Sequence, residues 1–454
     1  MRRLTGLWLP LCVAALLTGC PETESSSGQE EADVSVAPVD AASDAGGSDQ
    51  TGQGDALIDV DPEATTYYRD ILPLLEANCV SCHVAEGGAP FPLTHDDSEW
   101  AEGTPWWAAS VVNSVSEGNM PPWLPEQDCR PIMHARVLSP DEIEAFETWQ
   151  SQGFPMGDEA DYTPTSDPAQ RELGEADIRL DAGADYVANP ESPDDYRCFV
   201  VGETFEEDTY ITAVDVKADQ TSIVHHVLVY AIPPEQIDKL EEKEASDPEL
   251  GYTCFGGTGI SGAETVYAWA PGSVPFVMPE GSAMMMRAGS RIVMQLHYNL
   301  AYLDAPYVAP PDRSEALLWT MPADESPNAL IRILPYAHLG IDIEAGSPNE
   351  VEEKVFDIPF TATAIGVLPH MHVLGQTIRA EHVSAEGEST CMVDIKAWDF
   401  NWQQIYRYDD DHHIDLIGGD TLRLTCSYDN SPENQPIING QQMEPRQVGW
   451  GDGT

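Results

Sequence analysis

The sequence is poor in basic residues and has no long hydrophobic run. Lys and Arg number 21 against 78 Asp and Glu in 454 residues, which gives a formal net charge of -57. So large an excess of negative charge repels phosphate backbones and anionic headgroups, so we expect no nucleic-acid partner. The apolar run at residues 7–17 is too short to cross a bilayer, because a helical span needs about 20 apolar residues.

The short apolar run belongs instead to a pattern typical of an export signal. Arginines at positions 2 and 3 precede it, and small residues follow it up to Cys20. Residues 17–20, Leu-Thr-Gly-Cys, resemble the bacterial lipobox, whose cysteine is lipidated. An ordinary signal with an incidental cysteine is the alternative. We expect residues 1–20 to be a lipoprotein signal peptide ending at lipidated Cys20.

The residue after the lipidated cysteine bears on location. Pro21 stands there rather than Asp, which by analogy favours passage to the outer membrane. We therefore expect an exported outer-membrane lipoprotein, on the periplasmic face or at the cell surface. It would contact the membrane only through its lipid anchor.

Length and composition predict several domains, since about 150 residues make one. Residues 21–63 have almost no large apolar side chains and are predicted to be a disordered acidic tether. Helical spacing from Tyr67 and again from Ser139 predicts a small all-α domain at residues 64–158, followed by a linker at 159–180. Short alternating runs then predict all-β sandwich or barrel architecture up to residue 454.

The segment Cys79-Val80-Ser81-Cys82-His83 is the strongest local motif. Two cysteines at this spacing can bond to the two vinyl groups of haem while the following histidine coordinates the iron. A zinc half-site would need a second ligand pair nearby, and a thioredoxin-like redox pair would need a βαβ context. We therefore predict a cytochrome c domain with one haem c, attached through Cys79 and Cys82 and ligated by His83.

The sixth iron ligand is predicted to be Met120. It lies in a section predicted to be rich in loops, and two prolines after it stiffen the chain. A methionine ligand raises the reduction potential of a haem. Met133, His134 and Met156 are the alternatives.

Five cysteines remain once the signal, the lipidation site and the haem pair are set aside, and five is an odd number. Disulfides persist in the compartment of an exported protein, so one cysteine must lack a partner within the chain. Apart from Cys12 in the signal, Cys20 and the haem pair, they stand at positions 129, 198, 254, 391 and 426.

Histidines form three clusters on predicted strands. His370 and His372 are two residues apart, so a regular strand would place both on one face. His225 and His226 are adjacent, so joint ligation needs a bulge, and His297 lies on the polar face of an alternating strand. A single histidine is more typical of a core or surface position. Three clusters together favour a metal, and imidazole-rich sets suit copper.

Around these histidines the sequence resembles the copper type II, ascorbate-dependent monooxygenases, which include peptidylglycine alpha-hydroxylating monooxygenase and dopamine beta-monooxygenase. The resemblance covers about residues 190–454 and implies two jelly-roll-like sandwich domains, at 181–321 and 322–454, each holding one copper. The similar segments are Asp-Tyr-Arg-Cys at 195–198, Val-His-His-Val-Leu at 224–228, Tyr-Ala-Trp-Ala at 267–270, Gln-Leu-His-Tyr-Asn at 295–299 and Pro-His-Met-His-Val-Leu-Gly at 369–375.

The resemblance also implies which residues bind the two coppers. His225, His226 and His297 match the ligands of the first copper, which handles electron transfer. His370 and His372 match two of the three ligands of the second copper, which activates dioxygen.

Four further residues match family positions around the first copper. Gln295 and Tyr196 match residues close to that site. Cys198 and Cys254 match a family disulfide, which would stiffen the loop around the histidine pair.

The sequence departs from the family pattern in two places. The family's third ligand to the second copper is a methionine in an Asp-Glu-Met-Cys stretch, and residues 449–454 end where that stretch should follow. We therefore expect a C-terminally truncated second domain, with Met443 as a weaker substitute and Cys426 without its family partner. Peptidylglycine enzymes bind a substrate carboxylate through an arginine at the position of Leu368, so a peptide carboxylate is not expected as the substrate.

These features together imply a copper-dependent monooxygenase that hydroxylates a C–H bond of a small molecule with dioxygen. Its electrons would be relayed by the fused haem, with a redox partner reducing the haem and with ascorbate as a candidate reductant. The alternative is a non-catalytic electron-transfer or copper-binding lipoprotein.

Overall fold

The computed structural model describes residues 11–17, 64–84, 89, 91–94, 105–165, 173–190, 194–300, 309–322, 324–400, 402–435, 437–438 and 441–449. The predicted lipidation site Cys20 and the predicted tether at 21–63 lie outside these residues. The first described element is strand β1, Leu11–Leu17. After it come a helical unit (residues 64–122 and 137–165), a first β unit (178–320) and a second β unit (329–449).

The helical unit has a core of aromatic and aliphatic side chains, including Tyr67, Leu75, Phe146 and Trp149. One of its helices corrects the sequence prediction, because much of the section predicted to be loop is helical and buries valines against this core. The last long helix begins as predicted, with a reciprocal capping box at Ser139. The helices are a π-helix at Tyr67–Ile71, α1 at Leu72–Asn78, α2 at Pro105–Ser116, α3 at Pro140–Ser151 and a 3-10 helix at Glu159–Asp161.

The first β unit is a sandwich, as the alternating pattern predicts. One layer is a five-stranded sheet in the order β7-β4-β11-β6-β8, and the other contains β2, β13, β5, β10 and β9. The main core cluster lies between the two layers. The strands are β2 Ile178–Leu180, β3 Tyr186–Val187, β4 Asp194–Val201, β5 Thr209–Lys217, β6 Val224–Ile232, β7 Tyr252–Thr253, β8 Glu264–Trp269, β9 Phe276–Val277, β10 Ser282–Met286, β11 Arg291–Asn299, β12 Pro311–Asp312 and β13 Glu315–Thr320, with helix α4 at Ile237–Ser246.

The second β unit is also a sandwich. The four-stranded sheet β16-β22-β18-β19 packs over a second layer that contains β17, β20 and β21. The strands are β14 Ala329–Pro335, β15 Asp342–Ile343, β16 Glu350–Asp357, β17 Ala362–Pro369, β18 Gly375–Val383, β19 Ser389–Ile395, β20 Tyr406–Arg407, β21 Ile414–Leu416, β22 Thr421–Tyr428, β23 Ile437–Ile438, β24 Gln441–Gln442 and β25 Val448–Gly449.

Strand β1 links the two β units. It runs parallel to both β14 and β17 and lies between them, so one continuous sheet joins layers of both sandwiches. These residues belong to the predicted signal peptide, and a chain cleaved before Cys20 would lack this strand. None of the helices in the described residues is both long and apolar enough to span a membrane.

Residues 123–136, here called the strap, leave the helical unit and pack on the second β unit. Isolated antiparallel bridges join Pro125 to Ile395 and Ile132 to Tyr408. A disulfide joins Cys129 to Cys391, 262 residues apart. The second β unit is therefore built from two stretches of chain, one before and one after the first β unit in the sequence.

Candidate metal centre

A β-bulge brings the two adjacent histidines of β6 to the same side. Along β11, Leu296 pairs with Val227 and His297 pairs with His226, but the next residue pairs with Val224. His225 is thus the extra residue of the bulge, which turns it away from the alternation of a regular strand. The bulge that the sequence requires for joint ligation is present.

The three imidazoles present the same ring nitrogen to one another. The Nδ1 atom of His225 lies 3.3 Å from that of His226 and 3.1 Å from that of His297, and the third separation is 3.4 Å. Metal–nitrogen bonds of about 2.0–2.1 Å at angles between tetrahedral and trigonal would place the ligand atoms about 3.3–3.6 Å apart. The observed triangle fits one first-row metal ion. In the part of the chain that the structure describes, these three histidines are the group of potential ligands found close enough together to share one ion.

Burial keeps the imidazoles of His226 and His297 neutral, which is the form that binds a metal. Burial lowers the pKa of His226 well below its ordinary value, and the neighbouring histidines lower it further. The pKa of His297 is lowered in the same way by burial and by His225.

A carboxylate fixes the orientation of His297. The Nε2 atom of His297 donates to Asp194 Oδ1 at 2.6 Å, so the Nδ1 lone pair points at the other two histidines. Burial raises the pKa of Asp194 to about 6, with His225 acting in the opposite direction. With the pKa of His297 so low, this contact is a hydrogen bond from a neutral imidazole rather than an ion pair.

Tyr196 lies against the first histidine cluster, and Gln295 lies on the strand that carries His297. The Tyr196 ring stacks on His297 with centroids 4.1 Å apart and planes 8° from parallel. Gln295 is two residues before His297 on β11 and is buried, and its Oε1 atom has no hydrogen-bond partner among the described residues. Because it is two residues from His297, Gln295 lies on the same face of β11 as that ligand, where an unsatisfied buried acceptor fits a site that binds a polar species. The disulfide Cys198–Cys254 is also present.

His370 and His372 form a second pair, but not within a strand as predicted. Strand β17 ends at Pro369, and both histidines lie in the segment that follows. Their Nε2 atoms are 3.1 Å apart, a separation that suits two ligands of one ion. Met371, between them, turns into the core of the second β unit.

Gln403 sets the tautomer of His370. The Nδ1 atom of His370 donates to Gln403 Oε1, which leaves Nε2 with a free lone pair facing His372. The Gln403 amide donates in turn to the Phe400 carbonyl at 2.8 Å. Burial, and to a smaller extent His372, lower the pKa of His370 to about 3, although the hydrogen bond with Gln403 acts in the opposite direction.

The two histidine clusters face each other across one phenylalanine. The Phe400 ring lies 6.0 Å from the His225 ring and 6.2 Å from the His372 ring, measured between centroids. Those imidazoles are therefore separated by at most the sum of these distances, about 12 Å. His370 and His372 also contribute to lowering the pKa of His226, as expected of groups at short range.

Several other predicted residues are not part of these clusters. Met443 has 43% of its surface exposed. Leu368 is buried in the core of the first β unit. Cys426 is a buried thiol, and burial raises its pKa to about 12. A cleft of about 70 Å³ between the strap and the two β units is lined by Met133 and His134, but by none of the five histidines.

The segment at residues 79–83 follows helix α1 in a tight turn. The Nδ1 atom of His83 donates to the Phe91 carbonyl at 2.8 Å, so Nε2 carries the lone pair that an axial haem ligand needs. Burial, with the neighbouring Cys82, raises the pKa of the Cys79 thiol to about 12. A raised pKa is the opposite of what a thioredoxin-like redox pair requires. Met120 lies in the turn after α2 and is partly exposed.

Residues 353–445 match the family model described as copper type II ascorbate-dependent monooxygenase, C-terminal domain. The match supports the monooxygenase family. The second histidine pair, Gln403 and Cys426 lie within the matched segment, and His225, His226 and His297 lie outside it. No curated protein matches the chain.

Three residues of the site were missed in the sequence. Asp194 could have been found from the pairing of β4 with β11, in which Tyr196 lies opposite His297. Asp194 is two residues before Tyr196 and therefore lies on the same face of β4. Gln403 and Phe400 lie in a loop with no periodic pattern, so no local signal marks them. Their role follows only from the fold that brings this loop to the histidines.

Proposed function

We propose that this protein is a copper-dependent monooxygenase that hydroxylates a C–H bond of a small molecule. The observation that carries the proposal is the pair of facing histidine clusters, one of which lies in the segment that matches the monooxygenase domain. In such a reaction one oxygen atom of dioxygen enters the C–H bond and the other leaves as water, which consumes two electrons and two protons. Copper held by these imidazoles would supply one-electron chemistry with dioxygen.

The chain's own residues prepare the site for that ion. Asp194 and Gln403 each hold one imidazole in the tautomer that directs a lone pair at its cluster. Burial lowers the pKa of His297 in the first cluster and of His370 in the second, which favours their neutral, metal-binding form. Leu368 is turned into a hydrophobic core, which supports a substrate that is not held by a carboxylate at this position.

We propose in addition that the helical unit carries one haem c on Cys79 and Cys82, with His83 and Met120 as axial ligands. The tautomer of His83 and the spacing of the motif support this assignment. Haem bound there would carry one electron at a time, from a redox partner or from ascorbate. The Cys82 sulfur packs against Gly272, where an added Cβ would lie 2.3 Å from it, so the haem segment directly contacts the first β unit.

Metal and product analysis tests the proposal. We expect purified full-length protein to contain one iron and close to two coppers per chain, with one copper lost in His225→Ala and the other in His370→Ala. With 4-ethylphenol as a benzylic probe, ascorbate and ¹⁸O₂, the hydroxylated product should contain one labelled oxygen. A protein that fails to bind copper under saturating conditions would contradict the proposal. A protein that binds two coppers but hydroxylates no member of a probe panel would favour the electron-transfer or copper-binding alternative.

The haem relay has its own test. Rapid mixing of fully reduced protein with dioxygen and the probe should oxidise the haem together with the copper. A haem that stays reduced throughout turnover would rule out the relay while leaving the copper chemistry in place. Cys79→Ser/Cys82→Ser should abolish the covalent haem signal in a denaturing gel.

The proposed location is the outer membrane, through a lipid on Cys20. The signal pattern and lipobox-like residues 17–20 support it. Cys20→Ser should shift the exported protein from the membrane fraction to the soluble periplasmic fraction. An unchanged membrane fraction for the variant would contradict the anchor.

A further inference from the structure

The strap is attached to the second β unit over most of its length, from Trp123 to Met133. Backbone hydrogen bonds run from Glu126 N to the Asp394 carbonyl at 2.8 Å and from Met133 N to the Arg407 carbonyl at 2.8 Å. The Arg130 guanidinium donates to the Cys391 carbonyl at 2.9 Å, next to the disulfide from Cys129. These contacts hold the strap as an additional edge of the sandwich.

Strap side chains also enter the core of that sandwich. Ile132 is a member of the core cluster, and Trp123 and Leu124 pack against it. The Trp123 ring meets the ring of Tyr406 edge-on, with centroids 5.3 Å apart and planes at 76°. Edge-to-face aromatic pairs of this kind contribute beyond the area they bury. Tyr406 is 2% exposed, so Trp123 helps to seal it from solvent.

Tyr406 is connected to the second histidine pair in two ways. It pairs with Val367 on β17, three residues before His370. At Gly366 the two strands approach so closely that an added Cβ would lie 2.6 Å from the Tyr406 carbonyl oxygen. Tyr406 also ends the short segment that begins at Gln403, the hydrogen-bond acceptor of His370. The strand that leads to the histidines and the loop that orients one of them therefore share Tyr406 as an anchor.

We propose that Trp123 is a positioning residue for the second histidine pair, acting through Tyr406 and Gln403. The segment that connects the haem motif to the rest of the chain is thus a structural part of the second site. This inference rests on the proposed function for the identity of the ion, but its packing claim concerns only residues of this chain.

The first test needs no metal. Full-length protein with ¹⁵N-labelled histidine, stripped of copper by chelation, should show His370 as the Nδ1–H tautomer, with the resonance assigned by its loss in His370→Asn. Trp123→Ala should convert that resonance to an average of both tautomers. Trp123→Phe should retain the Nδ1–H form, because a smaller aromatic ring still covers Tyr406.

A matched control separates positioning from a general loss of stability. Leu422 is buried in the same core but lies on β22, in the opposite layer. Leu422→Ala should lower the free energy of unfolding and leave the His370 tautomer unchanged. The same tautomer averaging in Leu422→Ala, or an unchanged tautomer in folded Trp123→Ala, would overturn the inference. If Trp123→Ala does not fold, Cys129→Ser/Cys391→Ser loosens the strap without truncating the core, and an unchanged tautomer there would count equally against it.

Copper binding gives a second readout. In a His226→Ala background, which disables the first cluster, Trp123→Ala should weaken copper binding at the remaining site by about 10- to 100-fold, the effect typical of residues that orient a ligand. Copper binding at the first cluster, measured in a His370→Ala background, should not change. Equal losses at both clusters would contradict the inference. Absence of copper from the unaltered protein would instead contradict the proposed function, and the tautomer result would stand by itself.

Discussion

At the scale of single residues, burial decides which protonation state the fold favours, and Asp215 on β5 illustrates this outside the histidine clusters. Its Oδ1 atom is buried and has no hydrogen-bond partner among the described residues. Burial raises the pKa of Asp215 from 3.8 to about 6, against a backbone hydrogen bond that lowers it. Such a carboxylate destabilises the folded chain wherever it is ionised.

We expect Asp215→Asn to stabilise the protein at pH 7 and not at pH 4. The pKa of Asp215 is higher in the folded than in the unfolded chain, so folding takes up a proton between these two values. The free energy of unfolding therefore falls as the pH rises from about 4 to about 6. Above about pH 6, Asp215→Asn should therefore have a free energy of unfolding higher than that of the unaltered protein by at most roughly 3 kcal/mol. Urea unfolding of the variant and the unaltered protein at several pH values measures it.

The control for this prediction is Asp357→Asn, at an exposed position on β16. It should change the free energy of unfolding little at any pH. A constant difference between Asp215→Asn and the unaltered protein from pH 4 to pH 7 would show that the carboxyl group does not titrate as described.

The residues of the site differ in how far the sequence could predict them. The histidines stand in recognisable segments, and even the need for a bulge at His225 follows from strand geometry. The roles of Asp194 and Gln403 as hydrogen-bond acceptors could not be predicted from the sequence, because a hydrogen bond to an imidazole depends on which strands and loops meet in the fold. The lowered pKa values of His226, His297 and His370 likewise depend on burial that no local sequence pattern indicates.

At the scale of elements, the close approach of β17 and β20 depends on one glycine. An added Cβ at Gly366 would lie 2.6 Å from the Tyr406 carbonyl oxygen and 3.1 Å from the Arg407 Cα. Both neighbours are backbone, so neither can rotate away as a flexible side chain could.

We expect Gly366→Ala to lower the free energy of unfolding by about 1–3 kcal/mol, the usual cost of overpacking a core. Chemical unfolding followed by tryptophan fluorescence measures this loss. Gly418→Ala is the matched control, because its nearest neighbours lie 3.8 Å from the added Cβ. Equal stability of the two variants would mean that the strands can separate at little cost.

The elements show where pattern reading succeeds and where it does not. The alternating run of β11 places Ile292, Met294 and Leu296 in the core as predicted. Helix α2 was missed because Pro105–Ser116 combines valines with serine and asparagine, residues with weak helix propensity. Its helical form depends on burying Val112 and Val115 against the other helices.

At the scale of the whole molecule, the units are joined covalently by more than the main chain. The disulfide Cys129–Cys391 ties the strap to β19 across the entire first β unit. No sequence pattern indicated this pairing, because bridges between segments 262 residues apart leave no local periodicity. The predicted domain boundaries therefore placed the strap with the helical unit alone.

We expect a single proteolytic cut between residues 129 and 391 to leave two fragments that migrate together until a reductant is added. Limited trypsin digestion, followed by gels run with and without dithiothreitol, shows this directly. In Cys391→Ser the same cut should give separate fragments on the gel without reductant. Separation of fragments from the unaltered protein without reductant would contradict the pairing.

The strap has a further consequence for the order in which the protein is made. The chain emerges from its N-terminus, so Cys129 of the strap is made 262 residues before its partner Cys391. At about 5–20 residues per second that interval is roughly 13–50 s. The strands of the first β unit lie wholly inside the interval, and we expect its three histidines to come together while the second pair does not yet exist. During this interval Trp123 and Ile132 of the strap have no core to pack against, because the second β unit has not yet been made. We therefore expect the strap to be the part of the nascent chain most in need of protection from aggregation.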